Sequence, residues 1–107
     1  MIIKMDANKL TVSIIRFLQT NGCQAERVNN IARKVGGRFV KSNMTRGTAD
    51  IHAIVKGIAL KIEVKIGKDK QSEFQKQYQM EVEKAGGIYY IAKDFDSFYE
   101  WYNLNFK

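Results

Sequence analysis

Two short apolar runs joined by Lys56-Gly57 constrain the fold of this chain more than any other feature. The first run spans residues 51–55 and the second spans residues 58–66. If Lys56-Gly57 forms a two-residue hairpin turn, Val55 pairs with Ile58, and this pairing fixes the register of both strands. Because side chains alternate between the faces of a strand, one face then collects only apolar residues: Ile51, Ala53, Val55, Ile58, Leu60, Ile62 and Val64. We therefore predict a β-hairpin with one buried face.

The other face of the predicted hairpin carries two carboxylates and a lysine. Asp50 immediately precedes the first strand, and the register places it directly opposite Glu63. Facing residues in such a pair have Cβ atoms about 4.5–5.5 Å apart. Lys65 lies two residues beyond Glu63 and therefore points to the same face. The simplest alternative is an exposed face whose charges are solvated like those of any other strand.

Two carboxylates at this spacing repel each other, so either one of them binds a proton or a cation bridges them. Hard oxygen ligands suit Mg²⁺, which takes one or two protein carboxylates and keeps several of its waters. A lysine beside such an ion can orient or help to deprotonate an attacking water, and it can offset charge on a phosphate. The three residues together suit metal-assisted hydrolysis of a phosphodiester.

The charge of the chain favours an anionic partner. Its 107 residues, enough for one domain, carry a formal net charge of +7. No acid occurs between Glu26 and Asp50. Basic residues are frequent in that segment, in the hairpin and in the loop after it: Arg27, Arg33, Lys34, Arg38, Lys41, Arg46, Lys56, Lys61, Lys65, Lys68 and Lys70. Positive charge therefore gathers around the carboxylates, which favours a nucleic acid as the partner over the alternative of a basic protein without one.

Some classes of protein are disfavoured by what the sequence lacks. No apolar stretch approaches the roughly 20 residues of a membrane-spanning helix, and residues 1–4 do not resemble the start of a secretory signal. The only cysteine, Cys23, cannot form an internal disulfide, which fits a reducing cytoplasm. With a single histidine, His52, the chain offers no zinc site, and Cys23 is expected to pack in the core. We expect a cytoplasmic protein that does not enter a membrane.

The rest of the pattern predicts an α/β fold. Ser72 and Gln75 match a capping box that opens a helix, and Gly86-Gly87 ends it. The predicted elements are, in chain order, a helix over 8–20 with Asp6 as N-cap, a strand over 23–28, an irregular segment with a brief strand at 38–40, the hairpin, the helix after Ser72, a strand over 88–92 and a helix over 95–103. Counted without the brief strand, the order is α-β-β-β-α-β-α, a small mixed sheet flanked by helices.

The order of Asp50, Glu63-x-Lys65 and then Gln75 on the next helix resembles the PD-(D/E)XK nuclease superfamily, and more narrowly the stand-alone VRR-NUC domain of phages and bacteria. The matching segments follow the family's order over most of the chain: residues 27–30, 47–51, 62–65, 67–69, 72–75 and 85–87. The resemblance implies a restriction-endonuclease-like core, with residues 1–107 as a single nuclease domain. It also implies a metal-dependent DNA endonuclease that acts as a homodimer on structured DNA, such as four-way junctions or flaps, in a bacterial cell or a phage-infected host.

The resemblance also implies roles for individual residues. Asp50 and Glu63 would bind Mg²⁺ or Mn²⁺ together with the backbone carbonyl of Val64, and Lys65 would position or activate the attacking water. Gln75 would contact a phosphate or a metal-bound water; the alternative is that it serves only the capping box. Contacts with the nucleic acid are expected from four residues: Arg27, Asn29, Arg46 and Lys68. For Asn29 the alternative is ordinary turn chemistry.

The sequence departs from the family pattern at two places. Ala49 stands where the motif has a proline, which is tolerable because the aspartate does the chemistry. The family often has a glutamate near the start of the first helix that completes the metal site, and the first helix here has none. Asp6 or Glu26 could replace it, or could be a cap and a solvated charge, so the number of metal ions stays open. His52 shares the carboxylate face and is left out of the catalytic set.

Two other hypotheses compete with the nuclease. One is a non-catalytic nucleic-acid-binding module that retains the nuclease fold. The other is a protein-interaction domain that uses the aromatic residues of the last helix: Phe95, Phe98, Tyr99, Trp101 and Tyr102. We expect these aromatic side chains to be mostly core, with base stacking as the alternative.

Overall fold

The fold is built on a mixed four-stranded sheet, seen in a computed structural model that describes residues 5–28, 33–35, 38–40 and 47–107. The elements are α1 (Ala7–Thr20), β1 (Gln24–Arg27), β2 (Arg33–Val35), β3 (Arg38–Val40), β4 (Ile51–Val55), β5 (Ile58–Val64), α2 (Glu73–Lys84), β6 (Ile88–Ala92) and α3 (Phe95–Phe106). The strand order is β1-β4-β5-β6, with β5 and β6 parallel and the other neighbours antiparallel. The α/β class and the predicted element order around this sheet are confirmed, while the restriction-endonuclease-like core stays a prediction.

The β4–β5 hairpin has the predicted register. Val55 pairs with Ile58, and Ile51 pairs with Ile62. Lys56 and Gly57 have φ values of 51° and 82°, and positive φ at both central residues is what a type I′ turn requires. The predicted apolar face is buried except at Ile58, which is 41% exposed beside the turn. The alternation of side chains therefore identifies correctly which face of the hairpin meets the core.

The core lies between this apolar face and the helices α1 and α3. The two helices contribute six buried side chains: Leu10, Ile14, Leu18, Phe98, Tyr102 and Phe106. The expectation that the aromatic residues of α3 are mostly core is confirmed, with Tyr99 as an exposed exception. Cys23 packs against the core as predicted, with its Sγ 3.5 Å from the hydroxyl of Tyr102.

Helix α2 lies on the opposite face of the sheet and connects β5 to the parallel strand β6, which forms a βαβ unit. It ends in a Schellman motif, in which the Gly87 amide donates to the Val82 carbonyl at 2.9 Å and Gly86 has a φ of 92°. No residue of α2 is buried. Phe74, which the helical pattern places on the same side as Tyr78 and Val82, is 53% exposed. Apolar burial therefore contributes little to the attachment of this helix.

The segment between β1 and β4 contains one pairing that was not predicted. β2 pairs antiparallel with β3, with Val35 opposite Arg38, and forms a separate two-stranded sheet. β3 coincides with the brief strand expected at residues 38–40. Strand β2 was missed because three residues are too few to show an alternating pattern. Asn29, Asn30 and Arg46 lie outside the described residues. None of the helices described is long and apolar enough to span a membrane.

Candidate metal centre

The end of the β4–β5 hairpin holds Asp50 in a defined position beside Glu63. Ile51 pairs with Ile62, so one further step along the ladder places Asp50 opposite Glu63. The main-chain oxygen of Asp50 accepts a hydrogen bond from the Val28 amide at 2.8 Å. Its side-chain Oδ2 accepts another from the Val64 amide, also at 2.8 Å. The residue after β1 thus holds the backbone of Asp50, and β5 holds its carboxylate.

Glu63 is buried, with only 3% of its surface exposed. Its Oε1 accepts a hydrogen bond from Gln75 Nε2 at 2.8 Å and lies 3.9 Å from the ammonium nitrogen of Lys65. Its Oε2 is buried and receives no hydrogen bond from the described part of the chain. A buried carboxylate oxygen without a donor is uncommon in proteins and requires an explanation, such as an ion.

The protonation of Glu63 reflects this environment. The pKa of its carboxyl is raised from 4.5 to about 8, chiefly by burial and then by the charge of the neighbouring Asp50 carboxylate. The nearby charge of Lys65 opposes the shift but does not cancel it. In the metal-free protein the pair therefore retains one proton near neutral pH. A divalent cation beside the two carboxylates would replace that proton and offset their repulsion, so the residues present fit such an ion.

Gln75 serves two structural purposes at the N-terminus of α2. Its Oε1 accepts a hydrogen bond from the Ser72 amide at 2.8 Å, and its own amide donates to Ser72 Oγ at 3.1 Å. These two bonds are the predicted capping box. Its Nε2 remains available to donate to Glu63. The capping interaction and a position at the site therefore coexist in one side chain.

The loop that leads into Asp50 passes directly against the first turn of α2. Gly47 has a φ of +78°, and a Cβ placed on it would lie 2.3 Å from the main-chain oxygen of Phe74. That distance is far shorter than any van der Waals contact. Only glycine therefore fits at this point, and the close approach holds Asp50 and Gln75 near each other.

Replacing Gly47 with alanine is expected to destabilise the protein by at least about 1 kcal/mol more than Gly22→Ala. Gly22 is a matched control because it has a similar φ of +81° but nothing within 4 Å of an added Cβ. Both variants incur backbone strain, and only Gly47→Ala adds a collision with backbone atoms. Urea unfolding monitored by circular dichroism measures both losses. Equal losses would show that the loop is not in contact with α2.

The other predicted site residues differ in where they lie relative to the carboxylates. Lys68 lies in the exposed loop between Lys65 and α2. Arg27 pairs with Ile51, whose side chain faces the core, and its guanidinium donates to Asn8 on α1. The side chain of Arg27 therefore leaves the sheet on the face opposite to the carboxylates. Asn29 and Arg46 lie outside the described residues. The main-chain amide of Val64 donates to the Asp50 carboxylate. The role of the Val64 carbonyl as a metal ligand remains a prediction.

No described acid takes the place of the missing first-helix glutamate. The Asp6 carboxylate caps α1 by accepting a hydrogen bond from the Lys9 amide at 2.7 Å. Glu26 shares the carboxylate face but pairs with His52. Within the described ranges, no three His, Cys, Asp or Glu side chains are grouped so that they could hold a metal ion together. The site thus rests on two carboxylates.

Several residues beside the site were not assigned to it by sequence reasoning. The hydroxyl of Tyr78 lies 3.2 Å from His52 Nε2, and Gln71 donates to the hydroxyl of Tyr89 at 3.2 Å. Burial, followed by the charge of Lys61, lowers the pKa of His52. The sequence contains one indication of these polar contacts between α2 and the sheet. Residues 71, 75 and 78 are polar, whereas a helix that covers a sheet normally presents apolar residues to it.

No protein-family model and no curated protein matches this chain. Its function is therefore inferred from the fold and from the geometry around Asp50 and Glu63.

Proposed function

We propose that this protein is a metal-dependent DNA endonuclease that hydrolyses phosphodiester bonds, as its resemblance to the VRR-NUC domains of the PD-(D/E)XK superfamily suggests. The observation that supports this most strongly is the carboxylate pair. Glu63 is buried next to Asp50 with one oxygen that receives no hydrogen bond from the described residues, an arrangement that is costly unless a proton or a cation offsets the charge.

Asp50 and Glu63 would hold Mg²⁺ or Mn²⁺, with the carbonyl of Val64 as a third protein ligand. Such an ion lowers the pKa of a bound water and neutralises charge on a phosphate. The chain contributes fixed positions: Val64 orients Asp50 through its amide, and Gln75 orients Glu63 through Nε2. Side chains held in place by such bonds would lose less conformational freedom when an ion binds, which would favour binding.

Lys65 places a positive charge beside the pair. Its ammonium lies 3.9 Å from Glu63 Oε1, and its side chain is largely covered. A cation held there can orient an attacking water and offset the charge that develops on the phosphate. Its main-chain amide donates to the Ala92 carbonyl at 2.9 Å, so β6 fixes the backbone from which it extends. We assign Lys65 this role in the proposed reaction.

The proposed substrate is structured DNA, such as a four-way junction or a flap, and the proposed active form is a homodimer in the cytoplasm of a bacterium or of a phage-infected host. The net charge of +7 favours a phosphate backbone. Lys68 and Lys70 are exposed in the loop between Lys65 and α2, where they extend the positive surface from the site.

Incubation with supercoiled plasmid, flap and four-way-junction DNA tests the proposal. Cleavage is expected with Mg²⁺ or Mn²⁺ and none with EDTA, because the carboxylates need the ion to act on a phosphodiester. Salt-sensitive binding to all three DNAs without cleavage would instead identify a non-catalytic nucleic-acid-binding module. Absence of binding at moderate salt would favour a protein-interaction domain.

Lys65→Met is expected to lower the cleavage rate about 10²–10³-fold, since it removes one preorganised charge from the site. Affinity for Mn²⁺, measured by calorimetry, should not fall, because Lys65 is not a ligand and its positive charge opposes a cation at the site. Lys84→Met is the matched control, an exposed lysine in the last turn of α2. A Lys65→Met enzyme as fast as this control would remove Lys65 from the mechanism.

A further inference from the structure

Helix α2 is attached to the sheet by polar contacts. None of its residues is buried, whereas α1 and α3 each bury several apolar side chains. Its sheet-facing side, together with Gln71 just ahead of it, makes side-chain hydrogen bonds to three different strands. A helix attached in this way depends on individual hydrogen bonds for its exact position, because none of its side chains is buried in a core.

Each of the three strands beneath α2 receives one of these bonds. Gln71 Nε2 donates to Tyr89 on β6 at 3.2 Å. Gln75 donates to Glu63 on β5 at 2.8 Å. The hydroxyl of Tyr78 lies 3.2 Å from His52 Nε2 on β4. The bond to Glu63 therefore lies between two flanking bonds that fix how α2 crosses the sheet.

Tyr78 is well placed to control the position of Gln75. The two residues are three apart on the same helix and so share a face. The ring of Tyr78 stacks on that of His52, with centroids 6.4 Å apart and planes at 17°, and meets the edge of Tyr89 at 6.3 Å. His52 is two residues from Asp50 on β4. The Tyr78–His52 contact thus ties the helix that carries Gln75 to the strand that follows Asp50.

We propose that Tyr78 and His52 are positioning residues of the carboxylate site. Their hydrogen bond holds α2 at the distance from β4 and β5 at which Gln75 reaches Glu63, and through Gln75 it fixes the orientation in which Glu63 would bind an ion. As a refinement of catalysis this rests on the proposed function, but the hydrogen bonds of Tyr78 and Gln75 can be tested whether or not the protein cleaves DNA.

Tyr78→Phe tests this role because it removes the hydroxyl and keeps the ring. The cleavage kcat is expected to fall about tenfold with KM for DNA unchanged, since partners that orient a metal ligand are typically worth 10–100-fold. Tyr99→Phe is the matched control, an exposed tyrosine on α3, on the other side of the sheet. Circular dichroism establishes that both variants are folded.

A double-mutant cycle separates positioning from an independent effect. If Tyr78 acts through Gln75, then Tyr78→Phe should cause no further loss of kcat in a Gln75→Ala background. Fully additive losses, or a Tyr78→Phe enzyme as active as the Tyr99→Phe control, would overturn the proposal.

The side-chain amide signals of Gln75 in a ¹⁵N–¹H spectrum give a readout that does not require cleavage. In the metal-free wild type, the hydrogen bond to Glu63 should shift them from the values of an exposed glutamine. Tyr78→Phe should move them toward those values, and Tyr99→Phe should not. Unchanged Gln75 signals in Tyr78→Phe would overturn the positioning role, whereas a wild type that cleaves no DNA while showing these shifts would count against the nuclease only.

Discussion

Asp50→Asn is expected to lower metal-dependent DNA cleavage by about 10³-fold or more, because a metal ion contributes several kcal/mol of transition-state stabilisation. The substitution is close to isosteric. The amide oxygen of asparagine can still accept the 2.8 Å hydrogen bond that Asp50 Oδ2 receives from the Val64 amide. The fold should therefore persist, and the loss should come from the missing charge.

The same variant should bind Mn²⁺ at least about tenfold more weakly, because one of two carboxylate ligands becomes neutral. Asp96→Asn is the matched control, an exposed aspartate in the first turn of α3, which packs on the other face of the sheet. Its cleavage rate and Mn²⁺ affinity should equal those of the wild type. An Asp50→Asn protein that still cleaves at the wild-type rate would exclude this site.

Glu63→Gln is expected to stabilise the metal-free protein at pH 8 by an amount on the order of a few kcal/mol. Burial, aided by Asp50, raises the pKa of Glu63 from 4.5 to about 8. At a pH between these two pKa values, Glu63 holds a proton in the folded protein that it has released in the unfolded chain. The stability that this proton contributes is complete below about pH 4.5 and is lost as the pH rises to about 8. Glutamine resembles the protonated form at every pH.

The difference between Glu63→Gln and the wild type should therefore be small near pH 5 and should grow toward pH 8. Thermal unfolding in EDTA across this pH range measures the difference. The control is Glu100→Gln at an exposed acid on α3, whose stability relative to the wild type should not change with pH. Adding Mn²⁺ at pH 8 should raise the Tm of the wild type and leave Glu63→Gln almost unchanged. If Glu63→Gln were less stable than the wild type at pH 8, burial beside Asp50 would not disfavour the charged form of Glu63.

The hairpin and the capping box could be predicted because both depend on residues close in sequence. The alternation from Ile51 to Val64 and the Lys56-Gly57 turn specify one register, and that register brings Asp50 to Glu63. The spacing of Ser72 and Gln75 likewise specifies the start of α2. In both places the local signal and the tertiary structure agree.

The contacts beneath α2 could not be predicted in the same way. His52 and Tyr78 are far apart in the sequence, and whether they meet depends on how α2 crosses the sheet. A helical pattern identifies the sides of a helix but not its height or angle over a sheet. This also explains Phe74, which the pattern placed beside Tyr78 and Val82 although it is half exposed. The need for glycine at position 47 was similarly hidden, because it arises from the backbone of a distant helix.

The absence of buried side chains in α2 has a consequence for how the proposed DNA substrate would reach the carboxylates. Detaching this helix exposes little apolar surface to water, so it costs less free energy than detaching α1 or α3. Local opening of α2 would uncover Glu63 while the core beneath the other face of the sheet stays folded. Of the three helices, the one beside the site is thus the easiest to detach, and its detachment would give the proposed DNA substrate a route inward without global unfolding.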